Sequence, residues 1–262
     1  MRPIWTGGIT FGLVFIPIKL YSATKAVEID LDLLSKKDKS PIRYARIDVK
    51  TGKEVAWKDV VKGYEHKKGD YVVLEPDDFD KVDMDKSQNL EISSFVDEDE
   101  IDPIHFETPY YLEPDPKAKK LYALLNKTLK KSKKVGVAEF VMRNRERLCV
   151  IAPRGNMLIL NQMRYEDEIR DSGELEIPGK TDVDSKELDM ATELIDKMTE
   201  KFDISDYQDD YIKKLKKLID AKAKHKTVRV DKPTKRETAS ESNLTKLLQE
   251  SLIKFKVEAH AR

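Results

Sequence analysis

The first two dozen residues constrain the fold more than any other part of this sequence. Residues 8–15 and those just after them read as a strand that is apolar on both faces. The alternating apolar side chains are Ile9, Phe11, Leu13 and Phe15 on one face and Val14, Ile16 and Ile18 on the other. A strand of this kind lies inside a sheet or barrel. Because glycines and Pro17 interrupt it, we expect a first core strand with a bulge or bend.

Strand-like alternation continues to about residue 178 and then gives way to helical periodicity. The predicted strands span 8–15, 42–49, 71–75, 90–96, 109–113, 136–143, 147–153 and 157–163. A helix is predicted over 117–131, with Leu121, Leu124, Leu125 and Leu129 on one face. Short strands with few helices are typical of a barrel or a sandwich, and the spacing alone does not choose between them.

The charges are balanced overall but strongly segregated along the chain. The 49 basic and 49 acidic residues give a formal net charge of zero, which by itself argues against a nucleic-acid-binding protein. However, residues 75–115 hold fifteen acids against two lysines, and residues 117–134 hold eight lysines and no acid. Residues 213–236 hold eleven basic residues against two acids. Such segregation predicts a local phosphate-binding field, although an isolated lysine run can also be a solvated face.

Three groups of basic residues are candidate contacts to a nucleic-acid backbone. The first lies on a β-rich segment, residues 42–75, which we call the basic ribbon: Arg43, Arg46, Lys50, Lys53, Lys58 and Lys62. The second ends the lysine-rich helix: Lys130, Lys131, Lys133 and Lys134. The third is the tip of a hairpin predicted between 136–143 and 147–153: Arg143, Arg145 and Arg147. Because phosphate contacts carry no base information, these residues predict sequence-independent binding.

Two amphipathic helices follow residue 183, and neither could stand alone in water. Ser185 is a plausible N-cap for the first helix, and the second runs from about Tyr207 to Lys222. Their apolar stripes, which need an apolar partner, include Leu188, Leu194, Leu215 and Leu218. The barrel of their own chain is one candidate for that partner.

The C-terminal residues read as a polar linker, about 224–243, and then a short helix, about 242–256, with Ser242 as a plausible cap. The apolar face of this helix carries Leu244, Leu247, Leu248, Leu252 and Phe255. A lone helix of this length is marginal in water. We therefore expect it to dock on a partner, with folding back on its own barrel, or contact with DNA through nearby lysines, as alternatives.

The sequence offers no recognisable catalytic apparatus. No phosphate-binding glycine loop and no Gly-x-Ser-x-Gly nucleophile motif is present, and the four histidines show no metal-ligand spacing. The acid run from Asp97 to Asp102 could hold Mg²⁺ in a nuclease, but catalytic carboxylates generally converge from separate elements. We predict a non-enzyme without cofactor or metal. The single cysteine, Cys149, excludes an intramolecular disulfide and is expected to be a buried, inert thiol.

The opening residues, Arg2, Trp5-Thr6-Gly7, Phe11-Gly12-Leu13-Val14, Ile16-Pro17 and Leu20-Tyr21, closely resemble the start of the bacterial Ku proteins. Four later segments extend the resemblance over most of residues 2–225. They are 60–65 with 71–74, 95–96 with 100–103, 109–114, and 166–170 followed by the helical run after Leu188. One such motif would be weak, but five in order are a specific signal.

The resemblance implies a mainly β protein with helices: a Ku-type β-barrel with a basic bridging ribbon and a C-terminal helical arm. It places the barrel and ribbon in residues 1–180, the dimerisation arm in 181–225, and the linker and partner helix in 226–262. It implies a homodimeric ring that binds DNA double-strand ends and recruits the ATP-dependent DNA ligase D in non-homologous end joining. With no export signal, the expected location is the cytoplasm, associated with the nucleoid. The alternatives are a single-strand nucleic-acid-binding barrel and a metal-dependent nuclease.

Overall fold

The structure is a computed structural model that describes residues 1–82, 89–143, 145–179, 181–224 and 244–259. The chain divides into two compact units, residues 1–172 and 173–262. The strands of the first unit are β1 (Trp5–Phe11), β2 (Val14–Ser22), β3 (Lys62–Lys67), β4 (Asp70–Leu74), β5 (Asn89–Asp97), β6 (Phe106–Pro114), β7 (Lys134–Val141), β8 (Glu146–Arg154) and β9 (Met157–Met163). The helices of both units are α1 (Pro76–Val82), α2 (Lys119–Ser132), α3 (Ser185–Met198), α4 (Asp210–Ala223) and α5 (Leu244–Ala259).

Within the described residues, seven strands close into a barrel in the order β1-β2-β6-β9-β8-β7-β5. All neighbours are antiparallel except β1 and β5, whose parallel pairing closes the barrel. Alternate residues of these strands point inward, so the barrel is filled by fully buried aliphatic side chains such as Ile9, Leu90 and Leu160. The predicted β-barrel is confirmed.

The first predicted strand is in fact a hairpin. β1 and β2 pair in antiparallel register across a turn at Gly12 and Leu13, and Gly12 has a positive φ of 56°, which glycine adopts without strain. Because the turn reverses the chain, Leu13 is exposed instead of lying on the face of Ile9. Phe15 lies over Gly8, where an added Cβ would stand 2.1 Å from its ring. The prediction of one strand buried on both faces is therefore wrong.

Helix α2 closes one end of the barrel. Its side chains Tyr122, Leu125 and Leu129 belong to the same core cluster as the residues inside the barrel. The predicted apolar face is partly wrong, because Leu121 and Leu124 are exposed and Tyr122 takes their place in the core. The Tyr122 hydroxyl donates to the carbonyl of Leu112 and accepts from the N–H of Leu158, both at 2.6 Å, and so links β6 to β9.

A smaller cluster lies on the outside of β7, β8 and β9. Val135, Val150 and Ala152 pack there against Ile101 of the β5–β6 connection and against Phe106 at the start of β6. The acid run is part of this connection, and it folds as a short 3₁₀ turn in which the Glu100 carboxylate accepts from the Asp97 N–H. These acids therefore have a local structural role.

The cysteine is inside the barrel, as expected. Cys149 is fully buried and its thiol donates to the carbonyl of Ala138 at 3.3 Å. Burial raises the pKa of the Cys149 thiol well above its ordinary value, so the reactive thiolate does not form near neutral pH. The prediction of a buried, inert thiol is confirmed.

The chain between β2 and β3 is irregular. Its described structure includes isolated bridges between Leu34 and Pro41 and between Ile47 and Glu54 and a 3₁₀ turn at Trp57–Asp59. The predicted strand at 42–49 is wrong, because its apolar residues Ile42, Ile47 and Val49 are exposed and have no sheet on which to pack. β-Branched residues favour a strand only where a pleated, half-buried surface receives them.

In the second unit, α5 packs against α3. Leu252 of α5 is buried, and the Thr245 hydroxyl donates to the Glu187 carboxylate of α3 at 2.7 Å. The helix starts differ slightly from the predictions. Asp184, and not Ser185, caps α3 by accepting from the N–H groups of Lys186 and Glu187, because its side chain precedes the first helical residue.

Helix α4 begins at Asp210 with Asp209 as its cap, so Tyr207 lies outside it. The proposed cap of α5, Ser242, and the linker before it lie outside the described residues, as does the side chain of Phe255.

Candidate nucleic-acid interface

Nearly every residue of the basic ribbon is exposed. Its six candidate cations are all exposed: Arg43, Arg46, Lys50, Lys53, Lys58 and Lys62. β3 and β4 form a two-stranded sheet separate from the barrel, and Tyr64, Tyr71 and Val73 on it are exposed too. A two-stranded sheet with exposed apolar side chains on both strands is marginal by itself.

Local contacts hold parts of the ribbon in place. The Arg46 guanidinium stacks over the Trp57 ring at 4.7 Å, and the Lys62 ammonium lies 4.6 Å from the centre of the Phe79 ring. Residues 48–53 form a turn that we call the ribbon tip. In this turn the Asp48 carboxylate accepts from the N–H groups of Thr51 and Lys50. The hydrogen bond from the Thr51 N–H is the largest cause that lowers the pKa of Asp48. The turn that presents the tip lysines is therefore defined by its own sequence.

The second basic group lies where α2 ends and β7 begins. Lys130, Lys131 and Lys133 are exposed, whereas Lys134 is half-buried and its ammonium lies 2.6 Å from the Asp97 carboxylate. Lys134 is thus already paired and is a weaker candidate for phosphate binding than its neighbours. Cations in the last turn of a helix also stabilise that helix, so this group has a structural role in addition.

The third basic group is the β7–β8 hairpin tip. Arg143, which has a positive φ of 54°, and Arg145 are exposed. Arg147 is half-buried, and its Nε is buried without a hydrogen-bond partner among the described residues. Among the described residues of the tip, only Arg143 and Arg145 are therefore exposed cations.

The structure does not merge these groups into one surface. The second group stands at the start of β7 and the third beyond its end, so the eight residues of that strand separate them by about 25 Å. The two groups therefore flank opposite ends of the barrel, and the basic ribbon is a separate third element.

The wall of the barrel has a groove that was not predicted from the sequence. A cavity of about 730 Å³ opens where β2, β6 and β9 meet the start of α2. We call it the tyrosine groove, and its lining includes Tyr21, Tyr111, Glu113, Lys119, Tyr122 and Asn156. The signal in the sequence was the pair Tyr110-Tyr111, of which one residue faces the core and the other faces out.

Two features are absent from the described part of the chain. No group of three or more His, Cys, Asp or Glu side chains there is arranged to hold a metal ion. Within the same residues, no helix is both long enough and apolar enough to cross a membrane.

The closed seven-strand barrel and its exposed basic ribbon define a β-barrel protein with a basic surface element. Comparison with known proteins identifies its family. The family model of the Ku70/Ku80 beta-barrel domain matches residues 10–190. The chain belongs to the Ku family.

Relatives match over most of their length. Proteins named "Non-homologous end joining protein Ku" are 42% identical over 255 residues in Opitutus terrae (96% of this chain, 91% of the relative) and 38% identical over 262 residues in Cupriavidus necator (96% and 77%). The one from Bacillus subtilis is 36% identical over 241 residues (90% and 78%).

Proposed function

We propose that this protein binds DNA double-strand ends, independently of base sequence and without catalysis, as a homodimeric ring in non-homologous end joining. The observation that carries the proposal is the exposed basic ribbon of a Ku-family barrel. Its lysines and arginines suit phosphate oxygens, which are the same at every base pair. The name shared by the relatives supports the same pathway.

The arm offers an apolar stripe to a second copy. The half-buried residues of α3 are Glu187, Met190, Ala191 and Leu194, a face that includes the Glu187 contact with α5. Leu188 and Ile195, by contrast, are 58% and 66% exposed, and Met198 continues their stripe. Leu215 and Leu218 of α4 are half-buried. We propose that the exposed stripe of α3 lies in an isologous interface, in which the same surface of each copy is used.

A further part of the proposal is that the C-terminal helix, α5, recruits the ATP-dependent DNA ligase D. Of its predicted partner-binding residues, Leu252 is buried against α3, Leu247 and Leu248 are half-buried, and Leu244 is 37% exposed. We propose that α5 leaves α3 and packs the same apolar face against the ligase, so that one apolar contact replaces another. The exchange is feasible because each surface buries only a few leucines.

Changing Leu248 and Leu252 to Asp is expected to abolish stimulation of the ligase while DNA-end binding stays unchanged. The reason is that two charges on the apolar face prevent its burial in any partner. The measurement is the rate of end joining by the cognate ligase, with binding of the DNA followed in parallel. Ile253→Asp is a matched control, since Ile253 is exposed on the same helix. A double variant that loses DNA affinity yet still stimulates the ligase at saturating protein would assign α5 to DNA binding instead.

The proposed end specificity is tested by a shift assay that compares a linear duplex with a covalently closed circle of the same sequence. We expect binding to the linear duplex, no binding of comparable affinity to the circle, and no strand scission when Mg²⁺ is present. Equal affinity for both DNAs would contradict end recognition. Preference for a single-stranded competitor would favour the single-strand-binding alternative, and scission that requires Mg²⁺ would favour the nuclease.

A further inference from the structure

The tyrosine groove has two aromatic rings side by side on the outside of the barrel. Tyr21 of β2 and Tyr111 of β6 are direct partners in the antiparallel register, which places their Cβ atoms about 5 Å apart. Both are half-buried, and they face outward because their neighbours Leu20 and Leu112 fill the core. The Tyr21 hydroxyl donates to the Glu113 carboxylate at 2.6 Å. The groove therefore presents aromatic surface in a fixed position.

The back of the groove is rigid. Tyr122 is buried, and its hydroxyl is held by two backbone groups, the carbonyl of Leu112 and the N–H of Leu158. The Asn126 amide of the same helix donates to the carbonyl of Met157, another residue of the groove lining, at 2.7 Å. These contacts fix α2 against the strands, so the groove does not depend on a ligand for its shape.

The side of the groove formed by α2 carries positive charge. Lys119 lines the groove, and its sequence neighbours Lys117 and Lys120 are exposed, at the start of a segment, 117–134, that has eight lysines and no acid. The acid of the lining, Glu113, is held by Tyr21 and stands opposite Lys19 in the strand register. Aromatic surface next to lysines is the combination that binds single-stranded nucleic acid, in which rings stack on bases and cations meet phosphates.

We propose that the tyrosine groove binds an unpaired nucleotide of a single-stranded overhang at a DNA end. The base stacks on Tyr111 and Tyr21, the Asn156 amide and the Glu113 carboxylate hydrogen-bond to its polar edge, and Lys119 meets its phosphate. The inference rests on the proposed function, because the protein meets overhangs only if it binds DNA ends. A volume of about 730 Å³ is within the range of small-molecule sites, which suits a ligand of nucleotide size.

The test measures the ratio of affinities for two duplexes, one with a short 3′ overhang and one blunt. We expect the wild-type protein to favour the overhang by at least about fivefold, which is the lower end of what one base–aromatic stack contributes. Tyr111→Ala should bring this ratio to about one, and Tyr111→Phe, which keeps the ring, should preserve it. Lys119→Glu should lower the ratio too, whereas Lys36→Glu, an exposed control outside the groove, should not.

Because Tyr111→Ala changes a half-buried side chain, its thermal unfolding is measured first. If the Tyr111→Ala variant does not fold, the Lys119→Glu variant tests the proposal, since Lys119 is exposed and its replacement leaves the core unchanged. Photo-crosslinking of an overhang that carries 5-iododeoxyuridine gives an independent readout, and the expected crosslinks are to Tyr111 or Tyr21. A wild-type ratio of about one, or crosslinks confined to other residues, would overturn the proposal.

Two other outcomes separate this proposal from alternatives. If Tyr111→Ala folds, keeps the wild-type ratio and loses ligase stimulation, the groove binds a protein segment and the nucleotide proposal is wrong. If the wild-type protein does not bind blunt ends but a free single strand crosslinks to the groove, the proposed end binding fails while the groove assignment stands. Blunt-end binding therefore reports on the proposed function and the ratio reports on the groove.

Discussion

DNA-end affinity is expected to fall by about a thousandfold or more when the salt concentration rises from about 50 mM to about 200 mM. Each phosphate that a lysine or arginine neutralises releases condensed counterions, and the gain from their release shrinks as the salt concentration rises. The basic ribbon alone offers six exposed cations per chain, which is enough for an effect of this size. Equilibrium titration at a series of salt concentrations gives the slope of log affinity against log salt.

Neutralising two cations of the ribbon tip should lower that slope by about four, because each cation occurs twice in the proposed homodimer. The variant is Lys50→Gln with Lys53→Gln, and the matched control is Lys36→Gln with Lys39→Gln, two exposed lysines outside the predicted contact set. We expect the tip variant to weaken binding to all duplex sequences equally, since phosphate contacts carry no base information. A flat salt dependence in the wild type, or a strong preference for one sequence, would contradict backbone-dominated binding.

The second large effect concerns the arm. Leu188→Asp with Ile195→Asp is expected to raise the dissociation constant of the dimer by about ten-thousandfold or more. In an isologous interface both residues occur twice, and each buried side chain contributes about 1.5 to 3 kcal/mol. Charges placed there would in addition be buried without partners. Light scattering gives the mass of the species in solution, and a shift assay gives the accompanying loss of end binding.

The arm variant is informative because both residues are exposed in the single chain. We therefore expect thermal unfolding of the barrel to stay unchanged while the dimer is lost. Lys186→Asp is the matched control, since it also changes the charge of an exposed position on α3. A well-behaved dimer from the double variant would show that the stripe of Leu188 and Ile195 is not the interface.

The barrel strands could be predicted from sequence where alternation is regular. The strand 157–163 was predicted with the bounds that β9 has, and 90–96 and 147–153 each fall within one residue of the observed strand at either end. The choice between barrel and sandwich could not be made from periodicity, because closure depends on the parallel pairing of β1 with β5, some eighty residues apart. The family resemblance supplied what local pattern could not.

The errors share a physical cause, which is that local pattern does not report what a residue packs against. The N-terminal hairpin was predicted as one strand because Gly12 and Leu13 continue the apolar run although they form the turn. The segment 42–49 has strand-forming residues but no surface to receive them. In α2, the side of the helix that meets the barrel includes Tyr122 and excludes Leu124, and only the packed structure decides this.

The candidate site was predictable in its chemistry but not in its arrangement. The three basic groups were identified from the sequence, yet their separation by the length of β7 and the pairing of Lys134 with Asp97 depend on the fold. The pair Tyr110-Tyr111 was visible in the sequence, but the tyrosine groove that it belongs to was not. Tyr21 and Tyr111 are ninety residues apart and become neighbours only through the register of β2 and β6.

The most direct test of a ring that threads onto DNA ends is an order-of-addition experiment. A linear duplex with biotin at both ends is blocked by streptavidin either before or after the protein is added, and the bound fraction is then measured after a step to high salt. The ring account predicts almost no binding when the ends are blocked first. When they are blocked afterwards, it predicts complexes that persist at a salt concentration that strips the protein from unblocked DNA. Equal binding in both orders, with equal loss in high salt, would contradict it.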